Sequence, residues 1–505
     1  MPDAHAAFDA LCQHARKTSL VESIESSLCW DERCMLPSKA GEHRTEQIAY
    51  LAGVVHQRMT DPRVAEWLAV LVDSDLAVDP HSDAGTTIRQ LKREFDKQTK
   101  LPQELVEQLS RVSVKGQRCW AEARKNNDFA AFAPLLTQIV DLTKQKAECY
   151  GYTDHIYDAL LDDYEPLETT ASVEKLLTEL REELVPLVQK IAEGSRQPNL
   201  EILTREYPVK QQRQVVTEAA KRIGFDFSRG RLDETDHPFC TDIGPDDCRI
   251  TTRYNVNDFG DGFFSVMHEA GHGMYQQGLR TEQFGLPPGS AVSLAIHESQ
   301  SRLWENLVGR AASFWQHFYP VVQQAFPAAL GDVDVEDFVF AINDVRPSLI
   351  RTDADEVTYN LHIITRFELE QDLLTGVLDV ADLPEAWNAK YEQMLGIRPD
   401  SDANGVLQDV HWSGAAIGYF STYTLGNLHA AQLFEQARID LGDLDAQFAK
   451  GEFAPLLTWL REKIHKPGQC YTAAELAQKV TGKPLSCEPL VRHLKTRFGD
   501  LYGIS

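Results

Sequence analysis

The 505-residue chain has no run of about 18 apolar residues, so nothing in it reads as a transmembrane helix. Positive charge is scarce. Only 50 Lys and Arg stand against 76 Asp and Glu, a formal net charge of −26. Phosphate is repelled by such a surface, which argues against nucleic acid as the main partner and against docking on anionic lipid. The charges are dispersed through helical patterns, so a substrate carboxylate would have to be held by local positive groups against the general field. The stretch "MPDAHAAFDALCQHARK" lacks an apolar h-region, and no signal peptide is expected. Cysteines number nine, scattered and without a CxxC pair. An odd, dispersed set reads as reduced thiols, and a cytoplasmic location is expected. Cys240 and Cys248 are the closest pair after Cys29 and Cys34; each reads as a small buried apolar residue without catalytic weight. Fixed-period repeats and low-complexity tracts are also missing.

What is present is helical periodicity nearly everywhere. "FDALCQHARKTSLVESIESSLCW" and "SVEKLLTELREELVPLVQKIAEG" carry apolar residues at 3–4 spacing, the second with Gly194 as a helix stop. Thr472 and Glu475 fit a capping box. One strand is evident, "CRITTRYNV" at 248–256, rich in β-branched and aromatic residues.

Just after it comes "FFSVMHEAGHGMYQQ", residues 263–277. In a helix over 262–278, Phe263, Val266, Met267, Ala270 and Met274 form one apolar stripe. His268 and His272 lie one turn apart on a neighbouring face, where two imidazoles can converge on one ion. Glu269 is turned about 100° from His268 and is placed to act as general base rather than ligand. Gly271 and Gly273 each cost roughly 1 kcal/mol against alanine in a helix, which suggests a close backbone approach.

A catalytic metal needs a third protein ligand. Glu298 in "LAIHESQSRLWEN" is the best candidate, with Ser301, Arg302 and Glu305 following on its face and His297 as a competitor. Further on, "LIRTDADEVTYNLHIITRFELE" at 349–370 reads as a helix whose ionisable stripe is Arg351, Asp355, Tyr359, His362 and Arg366. Arg351 and Asp355 would form an i,i+4 pair there. "GVLQDVHWSGAAIGYFSTYTLGN" at 405–427 suggests close packing around His411.

Taken in order, these segments resemble the carboxypeptidase Taq family of metallocarboxypeptidases. The matching stretches are "LCWDERCMLP" at 28–37, "HPF" at 237–239, "DCRIT" at 247–251 and "HEAGH" at 268–272. They continue with "HESQSR" at 297–302, "IRTDADEVTYNLHIITRFELE" at 350–370 and "GVLQDVHW" at 405–412. The resemblance implies a mainly α-helical fold of the neurolysin and angiotensin-converting-enzyme type, with a deep substrate groove and a small sheet near the active site. Residues 1–195 would form one wall of the groove and residues 196–505 the part with the metal site, in one continuous catalytic unit. It implies a homodimeric enzyme that releases C-terminal residues from peptides with broad preference, using zinc, with cobalt able to substitute. The metal ligands would be His268, His272 and Glu298, with Glu269 as base. His411 and Tyr423, or Tyr419 in place of the latter, are candidate donors to the oxyanion. Arg351 leads for the terminal carboxylate, with Arg249 as second choice, and His237 would line the groove. Two other functions compete: a zinc endopeptidase or oligopeptidase with the same core, and a non-catalytic scaffold in which metal ties helices together.

Overall fold

The computed structural model describes residues 3–504. Helices dominate, and the sheet among the described residues has three strands: β1 (Gly230–Glu234), β2 (Cys240–Gly244) and β3 (Asp247–Thr252), in the order β1-β3-β2. β1 runs parallel to β3, pairing Gly230 with Cys248 and Leu232 with Ile250. β2 is antiparallel to β3, pairing Cys240 with Ile250 and Asp242 with Cys248. The strand expected over 248–256 is therefore shorter, because the ladder ends at Thr252. No helix among the described residues is long and apolar enough to cross a membrane.

The chain forms two compact units. One is built from Met1–Thr99, Asn199–Ile342 and Leu433–Pro484; the other from Lys100–Pro198, Asn343–Gln432 and Leu485–Ser505. Residues 1–195 and residues 196–505 each contribute to both units.

In the first unit the opening helix, Ala4–Cys34, packs through Leu11 on Leu68, Leu71 and Ile88. The histidine helix runs from Phe259 to Gln276, capped by Asp258, whose side chain accepts from the Asp261 N–H at 3.1 Å. Such a cap is worth about 1 kcal/mol. Its apolar stripe is buried as the spacing demands: Phe263, Val266, Met267, Ala270 and Met274 have essentially no exposure. Phe263 stacks on Phe259 at 5.2 Å and meets Trp315 at 5.0 Å between ring centroids. Burying one such ring contributes roughly 1.5–3 kcal/mol. This aromatic core fixes the rotation of the helix about its axis and so decides where His268 and His272 point.

In the second unit the helix Thr170–Ala192 buries Val173, Leu177, Leu180 and Leu184, and ends before Gly194. The helix expected over 349–370 begins only at Tyr359 and runs to Thr375. Asp355 explains the late start. Its carboxylate accepts from the Val357 and Thr358 N–H groups at 2.9 Å and from the Thr358 hydroxyl at 2.6 Å. A side chain that satisfies nearby backbone donors in this way competes with helix. Arg351 lies in a separate short turn, Arg351–Asp353.

Candidate metal centre and its surroundings

Two helices supply the centre. The second, Leu294–Arg302, is capped by Ser293, whose side chain accepts from the Ile296 N–H at 3.2 Å. It crosses the histidine helix at Gly271. A Cβ there would stand 2.6 Å from both the Gln300 carbonyl oxygen and the Ser301 Cα. Gly273 serves likewise, since a Cβ would meet the Phe225 ring at 2.6 Å. The helical penalty of both glycines is offset by this approach.

The crossing brings His268, His272 and Glu298 together, with donor atoms all within 4.8 Å of one another. Glu298 Oε2 lies 3.5 Å from His268 Nε2 and 3.4 Å from His272 Nε2. An ion bound tetrahedrally at about 2.0–2.1 Å needs neighbouring donors roughly 3.3 Å apart, so the set fits. Each ring is also oriented from behind. His268 Nδ1 donates to Glu305 Oε2 at 2.9 Å, and His272 Nδ1 donates to the His297 carbonyl at 3.1 Å. With Nδ1 engaged in this way, Nε2 is the ring nitrogen that each histidine directs at the cluster.

Glu298 is buried and anchored by Arg302 Nε at 2.7 Å and Ser301 Oγ at 2.9 Å. Burial opposes its charge, but Arg302, His268 and His272 overcome this and hold its carboxyl well below the ordinary range. Glu305 is similarly drawn down to about 2, against burial, by Arg302, His268 and Arg310. His268 is pulled up to about 9: burial lowers it, but Glu298, Glu305 and Glu269 outweigh that. The cluster attracts positive charge, which is the electrostatic requirement of a cation site. His297, the competing ligand, lies outside the set. Its Nδ1 is 2.6 Å from His272 Nδ1, its Nε2 faces Gln276, and burial keeps it neutral.

Glu269 is also buried, and burial pushes its carboxyl upward while His268 and His272 pull it down. That balance suits a group that must both take and release a proton. His237, in the loop before β2, acts electrostatically on Glu269. Arg249 on β3 is already engaged: it makes two 2.8 Å bonds to Asp247, and its guanidinium lies 4.4 Å over the Trp30 ring.

A second cluster, in the other unit, gathers Arg351, His411 and Tyr423. Arg351 is 6% exposed, and its expected pairing with Asp355 does not occur. Asp409 replaces it, accepting from Arg351 Nε at 3.0 Å and Nη2 at 2.9 Å. Asp409 also accepts from Arg366 Nε at 2.5 Å. Tyr359 OH lies 2.8 Å from Arg351 Nη1, and Gln408 Oε1 accepts from the Arg351 N–H at 2.9 Å. His411 Nε2 is 3.2 Å from Tyr423 OH, while the Tyr419 ring lies 5.2 Å from the His411 ring. Sequence reading assigned no role to Glu305 or Asp409. Glu305 was signalled by its i+7 spacing from Glu298, and Asp409 by its place in "GVLQDVHW".

A model of the carboxypeptidase Taq (M32) metallopeptidase family matches residues 10–498. The thermostable carboxypeptidase 1 of Thermus thermophilus is 46% identical over 510 residues, covering 99% of each chain. Carboxypeptidase 1 of Bacillus subtilis is 37% identical and covers 94% of each. Among solved structures, the M32 carboxypeptidase from Deinococcus radiodurans R1 matches with a TM-score of 0.95 at 39% identity, over 99% of this chain and 100% of that one.

Proposed function

The chain belongs to the carboxypeptidase Taq family of metallopeptidases and is a metallocarboxypeptidase, and from that premise we propose that it uses zinc held by His268, His272 and Glu298, with Glu269 as the general base. The observation that carries this reading is the convergence of those three donors within 4.8 Å, with the buried carboxyl of Glu269 acting on both histidines. The ion supplies Lewis-acid polarisation of the scissile carbonyl and a lowered pKa for the attacking water. Cobalt substitutes for it.

Glu269 takes the water's proton as the carbonyl is attacked and passes it to the leaving amine. His411 and Tyr423 donate to the developing oxyanion, with Tyr419 as the alternative phenol. Their 3.2 Å contact supports a shared task. Arg351 receives the terminal carboxylate. Asp409 and Tyr359 hold its guanidinium flat, and a planar fork fixed in advance loses little freedom on binding. Arg249 is the second candidate, its fork engaged by Asp247 as that of Arg351 is by Asp409. His237 lines the approach to Glu269. The wider reading is a neurolysin-like fold with a deep groove, broad preference for the released residue, a cytoplasmic setting and a homodimer.

Metal analysis with product identification tests the proposal. About one zinc per chain is expected, with free amino acids released one at a time from the C-terminus and activity abolished by chelation. Full hydrolysis by metal-free protein would overturn it.

A further inference from the structure

Cys240 and Cys248 are not two isolated apolar fillers. Their sulfurs face each other at 3.6 Å across the antiparallel β2–β3 pair. Cys248 shares its face of β3 with Ile250 by the two-residue period of a strand. Ile250 packs where Gly273 leaves the histidine helix bare, so this face looks towards that helix. Glu269, on the same helix, acts electrostatically on Cys240. Cys240 is half-buried and Cys248 is buried. Arg249 lies on the opposite face, over Trp30.

We propose that Cys240 and Cys248 form a redox switch: hydrogen peroxide converts the pair to a disulfide, and the cross-link lowers peptidase turnover until a thiol reductant reopens it. The thiolate sulfur of one cysteine attacks the peroxide oxygen, breaking the O–O bond and giving a sulfenic acid and hydroxide, which leaves as water. The second sulfur then attacks the sulfenic sulfur, forming the S–S bond as the second oxygen leaves as water. Two thiols are oxidised, one peroxide is reduced, and two waters form. Sulfurs 3.6 Å apart must close to about 2.05 Å, a movement of roughly 1.5 Å shared between rotation of the two side chains and a shift of β2 or β3. Catalytic groups tolerate displacements of only about 0.5 Å, and these strands pack against the helix that carries Glu269. The contact with Cys248, together with burial, holds the Cys240 thiol well above its ordinary value. The thiolate fraction at neutral pH is therefore small, and attack on peroxide is slow.

The test uses the holoenzyme, treated with hydrogen peroxide, quenched, alkylated and digested without reduction. A peptide pair linked through Cys240 and Cys248 is expected, together with a severalfold loss of turnover that dithiothreitol restores. Cys240→Ala and Cys248→Ala should keep resting activity and show no reversible loss. If either variant fails to fold, the wild-type time course decides, because the cross-linked fraction and the lost activity must rise together. Absence of the link, or an equal reversible loss in the variants, overturns the switch. The effect on turnover rests on Glu269 being the base, which Glu269→Gln checks separately. A cross-link without loss of turnover overturns the switch if that variant is inactive, and overturns the role of Glu269 as well if it is active.

Discussion

Asp409 grips Arg351 and Arg366 with one carboxylate: Oδ1 accepts from Arg351 Nε and Nη2, and Oδ2 accepts from Arg366 Nε. Burial opposes the charge, yet the two arginines and His411 keep the carboxyl ionised far below its ordinary range. Removing the negative charge leaves two buried guanidiniums facing each other. Asp409→Asn should lower stability by roughly 3 kcal/mol or more, read from urea unfolding at neutral pH. A variant as stable as the parent would mean that solvent already screens this pair.

Arg351→Ala tests recognition of the chain end. On peptides with a free C-terminus, kcat/KM should fall about a hundredfold, equivalent to roughly 2.7 kcal/mol. Weak cleavage of amidated peptides should change much less, since they never offered the charge. An equal loss on both substrates would make Arg351 a structural residue, and no loss on either would transfer the role to Arg249.

Base and ligand separate by metal content. Glu269→Gln should keep its zinc and lose most turnover, because an amide cannot accept the water's proton. His272→Ala should lose both. If zinc also left Glu269→Gln, the residue would have to be counted among the ligands or their supports.

Glu305 orients the ring of His268 from 2.9 Å. Glu305→Ala should weaken zinc affinity about 10–100-fold, measured by competition with a chromogenic chelator. Affinity unchanged within twofold would show that the His268 ring is fixed by packing alone.

Glu370, which is not among the candidate ligands, provides a pH signature. It is buried, and burial pushes its carboxyl up to about 7 despite hydrogen bonds from Trp412 and Tyr157. The folded chain therefore holds a proton that the unfolded chain releases near 4.5. The stabilisation is complete below that value and is lost as pH rises through 7, on the order of 3 kcal/mol across the window. Urea midpoints at pH 5 and pH 7.5 should fall more steeply with pH in the parent than in Glu370→Gln. Parallel slopes would place the titration elsewhere.

The metal-site helix was legible because an apolar stripe and two histidines at i and i+4 obey one helical period. Glu298 was legible only as a spacing and a resemblance, since nothing local distinguishes it from a solvated carboxylate. β1 and β2 escaped notice because "GRLDE" and "CTDIG" are short and polar, and gain their strand character from pairing with β3. The false helix across Arg351 came from counting periodicity through Asp355, whose side chain ties up the backbone donors of Val357 and Thr358. Asp409 was hidden by distance along the chain, 58 positions from the arginine it holds.

Gly271 makes peptide backbone the gauge between the two ligand-bearing helices. The Gln300 carbonyl and the Ser301 Cα occupy the place a methyl group would take, so the span is set by atoms that have no rotamers to change. Folding alone then sets His268, His272 and Glu298 at a chelating distance. An arriving cation meets a cup already cut to its size, and little conformational entropy is spent in closing around it. In the proposed zinc site the frame would stand when the ion leaves, as a socket emptied and refilled without refolding.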